Sequence, residues 1–382
     1  MGKLQIAIIQ SVLRKLHSAI SQLFLKMLIF QHNRYLCAMP KDISIQEFLC
    51  EYSHLPLIDV RSPGEFDKGH IPNAVNIPLF SNDERAHVGT VYKQESQEAA
   101  VELGYKYVTP KLDWFIKESE KLSADKNAVI HCWRGGMRSH AFAQHLMDNG
   151  FNKVYVIDKG YKAFRHEALN NFDTGTLIIL GGYTGSGKTH ILHQLEQDGQ
   201  QILDLEGLAS HKGSAFGNIG MDKQPTTEQF ENNLYWQWRQ FNFSKPIWVE
   251  DESPNIGDVN IPMHLFHKMR ESQVFFIEIS KAERARLLVN EYVLGDKAKL
   301  ANAINRISKR LGNDIAKKAH QYLEEDNFYE VAMLTLAYYD KYYKRGVEKR
   351  NTDTIQFIPL KNTDAKLNAQ SLIDFSKAQQ YV

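Results

Sequence analysis

Short apolar segments alternate with helix-forming segments along most of the 382-residue chain, in two consecutive blocks. Apolar runs of about four to eight residues between helices are typical of strands buried on both faces, as in parallel sheets. The alternation therefore predicts an α/β fold with domains at residues 40–170 and 174–300, followed by a helical extension at 301–382. A helix at 98–122 is expected to break at Pro110. Strands are predicted at residues 56–60, 73–79, 127–132 and 153–160, and then at 176–182, 201–207, 246–253, 273–280 and 354–360.

The composition is that of a globular protein without a dominant charge. The formal net charge is +1, which excludes a polycation that binds nucleic acid through its overall charge and leaves only local patches. The three cysteines, Cys37, Cys50 and Cys132, form no Cys-x-x-Cys pair. This spacing disfavours a disulfide framework and a cysteine zinc site, and it favours the reducing cytoplasm.

Residues 1–38 differ from the rest of the chain. They contain five basic residues and no Asp or Glu, and Lys26 interrupts their apolar run at residues 23–30. That run is too short to cross a membrane. We expect this leader to lie outside the fold, either as a basic targeting peptide or, as we favour, as an over-extended start upstream of Met39.

Cys132 lies between a predicted strand and a predicted helix, in the segment HCWRGGMRS. Backbone N–H groups of such a loop and of the helix N-terminus converge on one point, where they stabilise an anion or a thiolate. Gly135 and Gly136 allow a tight curl, including positive φ. Arg138 offers a bidentate fork for an oxyanion, and Ser139 can cap the helix or hydrogen-bond the thiolate. The sequence predicts that Cys132 is a nucleophile; the alternative is a small buried hydrophobic residue.

Two families share features of this loop. The pattern His131-Cys132-x-x-Gly135-x-x-Arg138-Ser139 resembles that of cysteine-dependent phosphatases, whereas residues 57–79, LIDVRSPGEFDKGHIPNAVNIPL, resemble the rhodanese signature. The rhodanese resemblance implies that Cys132 carries sulfur or selenium as a persulfide or perselenide. It also implies that Asp59 and Arg61 support the loop. The loop is one residue longer than in small sulfur-transfer rhodaneses, and its length resembles that of rhodanese-fold phosphatases, which accept a tetrahedral phosphate.

A glycine-rich segment, GGYTGSGKT, follows the predicted strand at 176–182 and precedes a helix. In this context the spacing predicts a P-loop, in which backbone N–H groups hold phosphates, Lys188 neutralises them and Thr189 reaches Mg²⁺. Glu250 and Asp251, after a later strand, are candidates to hold Mg²⁺ or polarise a nucleophile; the alternative is a solvated strand end. The predicted phosphate-binding residues are Gly182, Gly185, Ser186, Gly187, Lys188 and Thr189.

Two further basic segments are candidates for substrate binding. One is the glycine-rich loop HKGSAFG, and the other is RISKRLG, whose basic residues share one helical face and can clamp phosphate. The alternative in each case is ordinary charged surface. The residues concerned are His211, Lys212, Ser214, Arg306, Lys309 and Arg310.

From about residue 41 to the C-terminus the chain resembles the tRNA 2-selenouridine synthases, in which a rhodanese-like domain precedes a P-loop NTPase-like parallel-sheet domain with a helical C-terminal extension. The resemblance rests on GTVYKQESQEAAVELG, HCWRGGMRS, GYKAFR, GGYTGSGKT, HKGSAFG and WVEDES, which occur in the family's order. Two positions depart from the family: Lys159 stands where Gly is expected, and Lys212 stands where Arg is expected. At Lys212 the charge is kept but the bidentate fork is lost.

The resemblance implies that selenium replaces sulfur at the 2-thiouridine of the tRNA wobble position, with selenophosphate as donor. It further implies an S-geranyl intermediate made from geranyl diphosphate. Cys132 would carry selenium, and Arg134 and Arg138 would hold the phosphate-like donor. The P-loop would hold a diphosphate, which can be geranyl diphosphate or ATP. The implied partners are the tRNA anticodon loop and an enzyme that supplies selenophosphate. Membrane binding is not expected.

Contact with tRNA requires positive charge and stacking groups. Residues 338–350, YYDKYYKRGVEKR, interleave both kinds of side chain. The alternative, which we favour, is that this aromatic run belongs to the core. The side chains concerned are Tyr338, Tyr339, Lys341, Tyr342, Tyr343, Lys344, Arg345 and Arg350.

Three other functions stay open from sequence. The Arg138 loop alone is compatible with a rhodanese-fold cysteine phosphatase. A P-loop ATPase or scaffold could use the rhodanese-like domain only to bind a sulfur-carrying partner. An ATP-dependent RNA sulfurtransferase would bind ATP at Lys188 to activate the base.

Overall fold

A computed structural model describes residues 39–213, 221–292, 297–348 and 350–379. The predicted leader and Ser214 lie outside the described residues. The chain forms two compact units. The first comprises the described residues up to Asp67 together with Asn73–Phe164, and the second comprises Lys68–Pro72 and the chain from Arg165 onward.

A five-stranded parallel sheet forms the first unit, with strand order β1-β5-β4-β2-β3. The order places β4 beside β2, and Asp59 pairs with His131 in register. Strand β4 therefore delivers the residue that follows it, Cys132, to the middle of the sheet edge. The elements are β1 (Lys41–Ile43), α1 (Ile45–Glu47), β2 (Leu57–Asp59), α2 (Pro63–Lys68), β3 (Val75–Asn76), α3 (Asn82–Gln94), α4 (Gln97–Val108), α5 (Leu112–Leu122), β4 (Asn127–His131), α6 (Met137–Asp148) and β5 (Lys153–Ile157).

The core of the first unit lies between this sheet and helices that cover it. Phe115 of α5 and Phe142 of α6 are both 1% exposed, and their ring centroids are 5.1 Å apart. Helix α4 ends at Val108, and a 3-10 turn at Thr109–Lys111 leads into α5, which confirms the predicted break at Pro110. Helix α3 begins with a capping box between Ser81 and Glu84, although the alternating pattern does not predict this helix.

The longer segment of the second unit begins within helix α7 (Gly160–Asn170). The main sheet of this unit has the order β12-β11-β6-β8-β7, with every pair parallel. The order places β6 at the centre, between β8 and β11. The elements are β6 (Leu177–Gly182), α8 (Lys188–Gln197), β7 (Gln201–Leu203), α9 (Leu205–Ala209), α10 (Thr227–Trp238), β8 (Ile247–Glu250), β9 (Asn255–Ile256), β10 (Val259–Asn260), α11 (Met263–Glu271), β11 (Gln273–Glu278), α12 (Lys281–Tyr292), α13 (Lys297–Leu311), α14 (Asn313–Glu324), α15 (Phe328–Val347), β12 (Ile355–Pro359) and α16 (Ala365–Ala378).

Apolar clusters hold the described part of the second unit together. One fills the space between the sheet and helices α8 and α16, and it contains Trp248 and Phe275, which have no exposed surface. A second is formed by α13, α14 and α15, and a small third joins α12 to α15. The C-terminal strand β12 pairs with β11, so the predicted extension contributes to the sheet as well as adding helices.

Candidate active sites

Cys132 follows β4 directly, and its side chain is 3% exposed. Its Sγ lies 3.3 Å from the hydroxyl oxygen of Ser139, which also donates a hydrogen bond of 3.0 Å to the carbonyl oxygen of Gly136. Helix α6 has no side-chain cap at its N-terminus. Of the two roles predicted for Ser139, the structure therefore shows the contact with sulfur and not the helix cap.

Two glycines shape the Cys132 loop through backbone crowding. Gly135 has φ of +60°, and a Cβ there would lie 2.3 Å from the carbonyl oxygen of Ile157. Gly160 has φ of +50°, and a Cβ there would lie 2.2 Å from the carbonyl oxygen of Cys132. Only glycine fits either position without displacing backbone. Of the two glycines predicted to allow the curl, only Gly135 uses a positive φ; Gly136 has φ of −101°, and an added Cβ there would meet open space.

The electrostatics of the loop favour the thiolate form of Cys132. Burial raises the pKa of the thiol, but the Arg138 guanidinium and the Ser139 hydroxyl act in the opposite direction. Hydrogen bonds from the amides of Arg134 and Gly136 lower it further. The net pKa of Cys132 is below its ordinary value, so the sulfur is a stronger nucleophile at neutral pH than an ordinary cysteine.

Glu65 holds the arginine of this loop, and the sequence analysis did not identify it. Its carboxylate lies 3.3 Å from Nη1 of Arg138 and 3.0 Å from Nε of Arg85. Burial raises the pKa of Glu65, but Arg138 and Arg85 outweigh this effect and lower it. The available signal was its place within the rhodanese-like segment at residues 57–79. Arg134, the other predicted donor-binding arginine, is exposed.

Asp59 and Arg61 form a fully buried ion pair beneath the loop. Both side chains have 0% exposure, and Nη2 of Arg61 is 2.6 Å from the Asp59 carboxylate. The Arg61 guanidinium lies 3.8 Å from the ring centroid of Tyr161, whose backbone N–H donates to the carbonyl oxygen of Cys132. The pair therefore supports the Cys132 loop through Tyr161, and Asp59 also lies 3.7 Å from Nε2 of His131, the residue before Cys132.

The predicted phosphate loop joins β6 to α8. Gly185 and Gly187 have φ of +76° and +75°, so the chain curls as the spacing predicts. Lys188 Nζ donates to the carbonyl oxygen of Gly182 at 3.0 Å. The Ser186 hydroxyl is buried and has no hydrogen-bond partner among the described residues, which leaves it available to a ligand.

Three glutamates meet beside this loop. Carboxylate oxygens of Glu206, Glu250 and Glu252 all lie within 4.8 Å of one another, and the Thr189 hydroxyl donates to Glu206 at 3.1 Å. Burial and the nearby Glu206 raise the pKa of Glu250 to about 8. Burial, with the neighbouring carboxylates, likewise raises the pKa of Glu252. Of these three glutamates, only Glu250 is predicted from the sequence.

Asp251 lies apart from the three glutamates. Its carboxylate accepts a hydrogen bond of 2.8 Å from the Tyr343 hydroxyl and forms an ion pair with Arg350, which is 6% exposed. The carboxylate is therefore already neutralised by protein groups. We find no room in this arrangement for the predicted Mg²⁺ role of Asp251.

The same contacts correct the RNA-binding prediction for residues 338–350. Tyr343 and Arg350 use their polar groups inside the unit, and Tyr338 and Tyr339 pack against the apolar cluster of α13–α15. The three tyrosines are partly buried and pack as the core alternative predicts, and Arg350 is buried beside them. Lys341 and Lys344 are exposed, whereas the side chains of Tyr342 and Arg345 lie outside the described part of the chain.

Two of the predicted substrate-binding residues, His211 and Arg306, are coupled by charge. Burial lowers the pKa of His211, the carboxylate of Asp258 acts in the opposite direction, and the positive charge of Arg306 lowers the pKa further. Arg306, Lys309 and Arg310 are all exposed on α13, opposite its buried apolar face. Lys212 precedes Gly213, which packs against the carboxylates of Glu206 and Glu252.

An apolar cavity of about 40 Å³ lies in the helical part of the second unit and touches the phosphate loop. Thr184 of the loop forms part of its wall, and Leu288 of the wall packs against Gly185. The other lining residues are Val289, Leu300, Phe328, Val331, Ala332, Thr335, Leu336 and Tyr339. The phosphate loop is thus bordered by an apolar wall on one side and by acidic side chains on another.

Comparisons with known proteins agree with this architecture. A model of the rhodanese-like domain matches residues 45–167, and a model described as the tRNA 2-selenouridine synthase AAA domain matches residues 175–366. With the Cys132 loop and the P-loop, these matches define the protein as a rhodanese-like domain followed by a P-loop-containing AAA domain. None of the described helices is both long and apolar enough to span a membrane.

Relatives aligned over most of the chain identify the family. The chain is 31% identical to the tRNA 2-selenouridine synthase of Nitrosomonas europaea, over 89% of this chain and 99% of that protein. It is 35% identical to the enzyme of the same name from Shewanella frigidimarina, over 78% of this chain and 90% of that protein. The chain belongs to the tRNA 2-selenouridine synthase family and is an enzyme.

Proposed function

We propose that this enzyme replaces sulfur by selenium at the wobble 2-thiouridine of tRNA in the cytoplasm, with Cys132 as the selenium carrier. The observation that carries the proposal is the thiolate-stabilising loop around Cys132, in a chain that belongs to this family. Arg138 and the loop amides supply positive potential beside the sulfur, which suits an anionic, phosphate-like donor such as selenophosphate.

The proposed reaction passes through an S-geranyl intermediate. S-alkylation turns the ring sulfur into a better leaving group, so the C2–Se bond forms as the C2–S bond breaks and geranylthiol leaves. Water cleaves the Se–P bond of selenophosphate and releases phosphate. A perselenide on Cys132 forms when a persulfide, supplied by a sulfane-sulfur donor, exchanges its outer sulfur for selenide and sulfide leaves. Attack of this perselenide on C2 expels geranylthiol and leaves Cys132 joined to the base by an S–Se bond, which two molecules of a reducing thiol cleave to free 2-selenouridine and the Cys132 thiol, with a disulfide as the oxidised product.

Mass spectrometry of the protein after incubation with a sulfane-sulfur donor and then with selenophosphate tests the carrier role. We expect a selenium adduct on the peptide that contains Cys132 and none there in Cys132→Ser. Replacement of the exposed Cys50 by Ser is the matched control and is expected to leave the adduct unchanged. An adduct that never forms on Cys132, while 2-selenouridine is still made, would remove the proposed carrier.

The apolar wall beside the phosphate loop supports geranyl diphosphate rather than ATP as the ligand of the P-loop. Leu288 of this wall packs against Gly185, and the cavity behind it, at about 40 Å³, must widen to admit more than the end of a prenyl chain. Replacement of Leu288 by Asn is expected to weaken binding of geranyl diphosphate by about tenfold and to leave inorganic diphosphate binding unchanged. ATP binding that exceeds geranyl diphosphate binding in the wild type would contradict this assignment.

A cysteine phosphatase is the second candidate, because Arg138 and the loop amides around Cys132 also suit a phosphate ester. Hydrolysis of an aryl phosphate measures this activity directly. Rapid hydrolysis that is lost in Cys132→Ser would favour the phosphatase, whereas the selenation proposal predicts turnover no faster than background.

A further inference from the structure

Exposed basic side chains lie on two segments of the first unit that border the Cys132 thiol. Arg134 belongs to the loop itself, Lys159 precedes α7, and Lys162 lies in the first turn of that helix. The two segments are in backbone contact, because the N–H of Lys162 donates to the carbonyl oxygen of Trp133 at 3.0 Å. We call Arg134, Lys159 and Lys162 the basic rim of the loop.

The protein does not neutralise the basic rim. None of its three side chains forms an ion pair with another residue in the described part of the chain, whereas Arg138 of the same loop is held by Glu65. Asp158, next to Lys159, is also exposed, so three positive charges stand against one negative charge here. An uncompensated group of cations on a protein surface attracts a polyanion.

Two of these cations occupy positions where local structure disfavours them. Lys159 has φ of +55°, a left-handed conformation that glycine adopts far more readily than lysine. Lys162 lies where the dipole of α7 disfavours a positive charge, and the first turn of this helix contains no acidic residue. Backbone strain of this kind is found most often at functional sites. An anion bound at the rim would offset the repulsion between these charges.

Side chains that can contact nucleobases accompany the cations. Trp133 is half-buried, and its ring centroid lies 5.7 Å from that of Tyr161. Met137, at the start of α6, is 58% exposed. Proteins bind unpaired RNA loops with cations that contact phosphates and with aromatic or apolar side chains that contact unstacked bases. Both kinds of group are present beside the Cys132 thiol.

We propose that the basic rim binds the backbone phosphates on either side of the wobble nucleotide and so positions C2 of its base at Cys132. This assignment rests on the proposed function, because it takes the tRNA anticodon loop as the substrate. When C2 comes within bonding distance of the selenium on Cys132, the phosphates of that nucleotide come to the surface around the loop. The rim supplies positive charge at that surface, whereas Arg138 and the loop amides act on the sulfur itself.

Binding of a fluorescent anticodon stem-loop with 2-thiouridine at the wobble position tests the rim in the full-length protein. Lys159→Gly removes one charge and relieves the left-handed strain, so it should weaken binding about fivefold without lowering the melting temperature. Lys126→Gly is the matched control. Lys126 also has a left-handed backbone, with φ of +53°, and it precedes β4, at the opposite end of the strand from Cys132. This control should bind the stem-loop as the wild type does.

Two further variants change the charge of the same surface in opposite directions. Lys162→Gln should weaken binding about fivefold, and Asp158→Asn should strengthen it. Each lysine substitution should also reduce the slope of log affinity against log salt by about 0.7. Wild-type affinity in both Lys159→Gly and Lys162→Gln, or an equal loss in Lys126→Gly, would overturn the proposal.

Formation of the selenium adduct without RNA separates this proposal from the carrier role of Cys132. Both lysine variants should form the adduct at the same selenophosphate concentration as the wild type. A variant that needs more selenophosphate but binds the stem-loop normally would assign the rim to the donor and overturn the proposal. Failure of the wild type to form the adduct would refute the carrier role alone, because the affinities for the stem-loop decide the role of the rim.

Discussion

At the scale of single residues, the reactivity of Cys132 depends on a few groups that compete with its burial. The buried position alone would keep the thiol protonated, and the guanidinium of Arg138 is the strongest group acting against it. Glu65 in turn holds Arg138 in place. The pKa of the Cys132 thiol thus depends on Arg138, and the position of Arg138 depends on Glu65.

The pH dependence of Cys132 alkylation is expected to follow this arrangement. A lowered pKa means that the thiolate persists to lower pH, so iodoacetamide should react with Cys132 below the pH at which an ordinary cysteine reacts. Arg138→Ala should move the midpoint upward by about 1–2 pH units, and Arg138→Lys by less. The rates are measured with Cys37 and Cys50 replaced by Ser; identical midpoints in all three proteins would contradict the role of Arg138.

Alanine substitutions at Gly160 and Gly136 are expected to differ in their effect on stability. Gly160→Ala places a Cβ 2.2 Å from the carbonyl oxygen of Cys132 and should lower the free energy of unfolding by about 1–3 kcal/mol. Gly136→Ala meets no atom within 4 Å and is expected to change it little. Denaturant unfolding measures the free energy of unfolding of both variants. Equal decreases in the two variants would contradict the expected clash of a side chain at position 160.

At the scale of elements, helix α13 combines a buried apolar face with an exposed basic one. Ile304, Ile307 and Leu311 pack inward, while Arg306, Lys309 and Arg310 face solvent. Because the segment at 338–350 uses its Tyr343 and Arg350 internally, this face of α13 is the better candidate for contact with the tRNA backbone.

Charge reversal tests this face. Glu at positions 306, 309 and 310 is expected to weaken tRNA binding and to reduce the slope of log affinity against log salt by about 2. The matched control reverses Lys245, Lys366 and Lys377, which are also exposed and give the same change in net charge. Equal losses of affinity in both triple variants would assign the effect to overall charge.

How much the sequence could predict depends on the distance along the chain between interacting residues. The Cys132 loop and the phosphate loop are local, so spacing alone predicted their residues. Glu206 and Glu250 lie close together because β7 and β8 are neighbours in the sheet. Strand order cannot be predicted from the spacing of residues, so this cluster could not be predicted from the sequence. Tyr343 was likewise ambiguous, because its partner Asp251 lies 92 residues earlier.

At the scale of the whole molecule, the two candidate sites lie in different units, and each unit has its own apolar core. The Cys132 loop belongs to the first unit, and the phosphate loop with its three glutamates belongs to the second. Each unit therefore stabilises its own site, and a substitution in one site is not expected to unfold the other.

Because the two sites lie in different units, diphosphate binding and formation of the selenium adduct are expected to be lost independently of each other. Lys188→Ala should lower affinity for geranyl diphosphate by at least tenfold while Cys132 still acquires its selenium adduct. Cys132→Ser should abolish the adduct and leave diphosphate affinity unchanged. Calorimetry and mass spectrometry measure the two properties, and loss of both in either variant would refute this independence.

The Tyr343 hydroxyl lies 3.4 Å from the backbone nitrogen of Gly182 and also donates to Asp251, so a residue from late in the chain touches the first glycine of the phosphate loop. Arg284 adds a second such link, from α12 to the carbonyl oxygen of Thr184. A protein truncated after β11 would lose both of these contacts with the phosphate loop and would also lose strand β12. The chain after β11 therefore helps to hold the phosphate loop in place, and a shorter fragment designed to bind diphosphate must retain it.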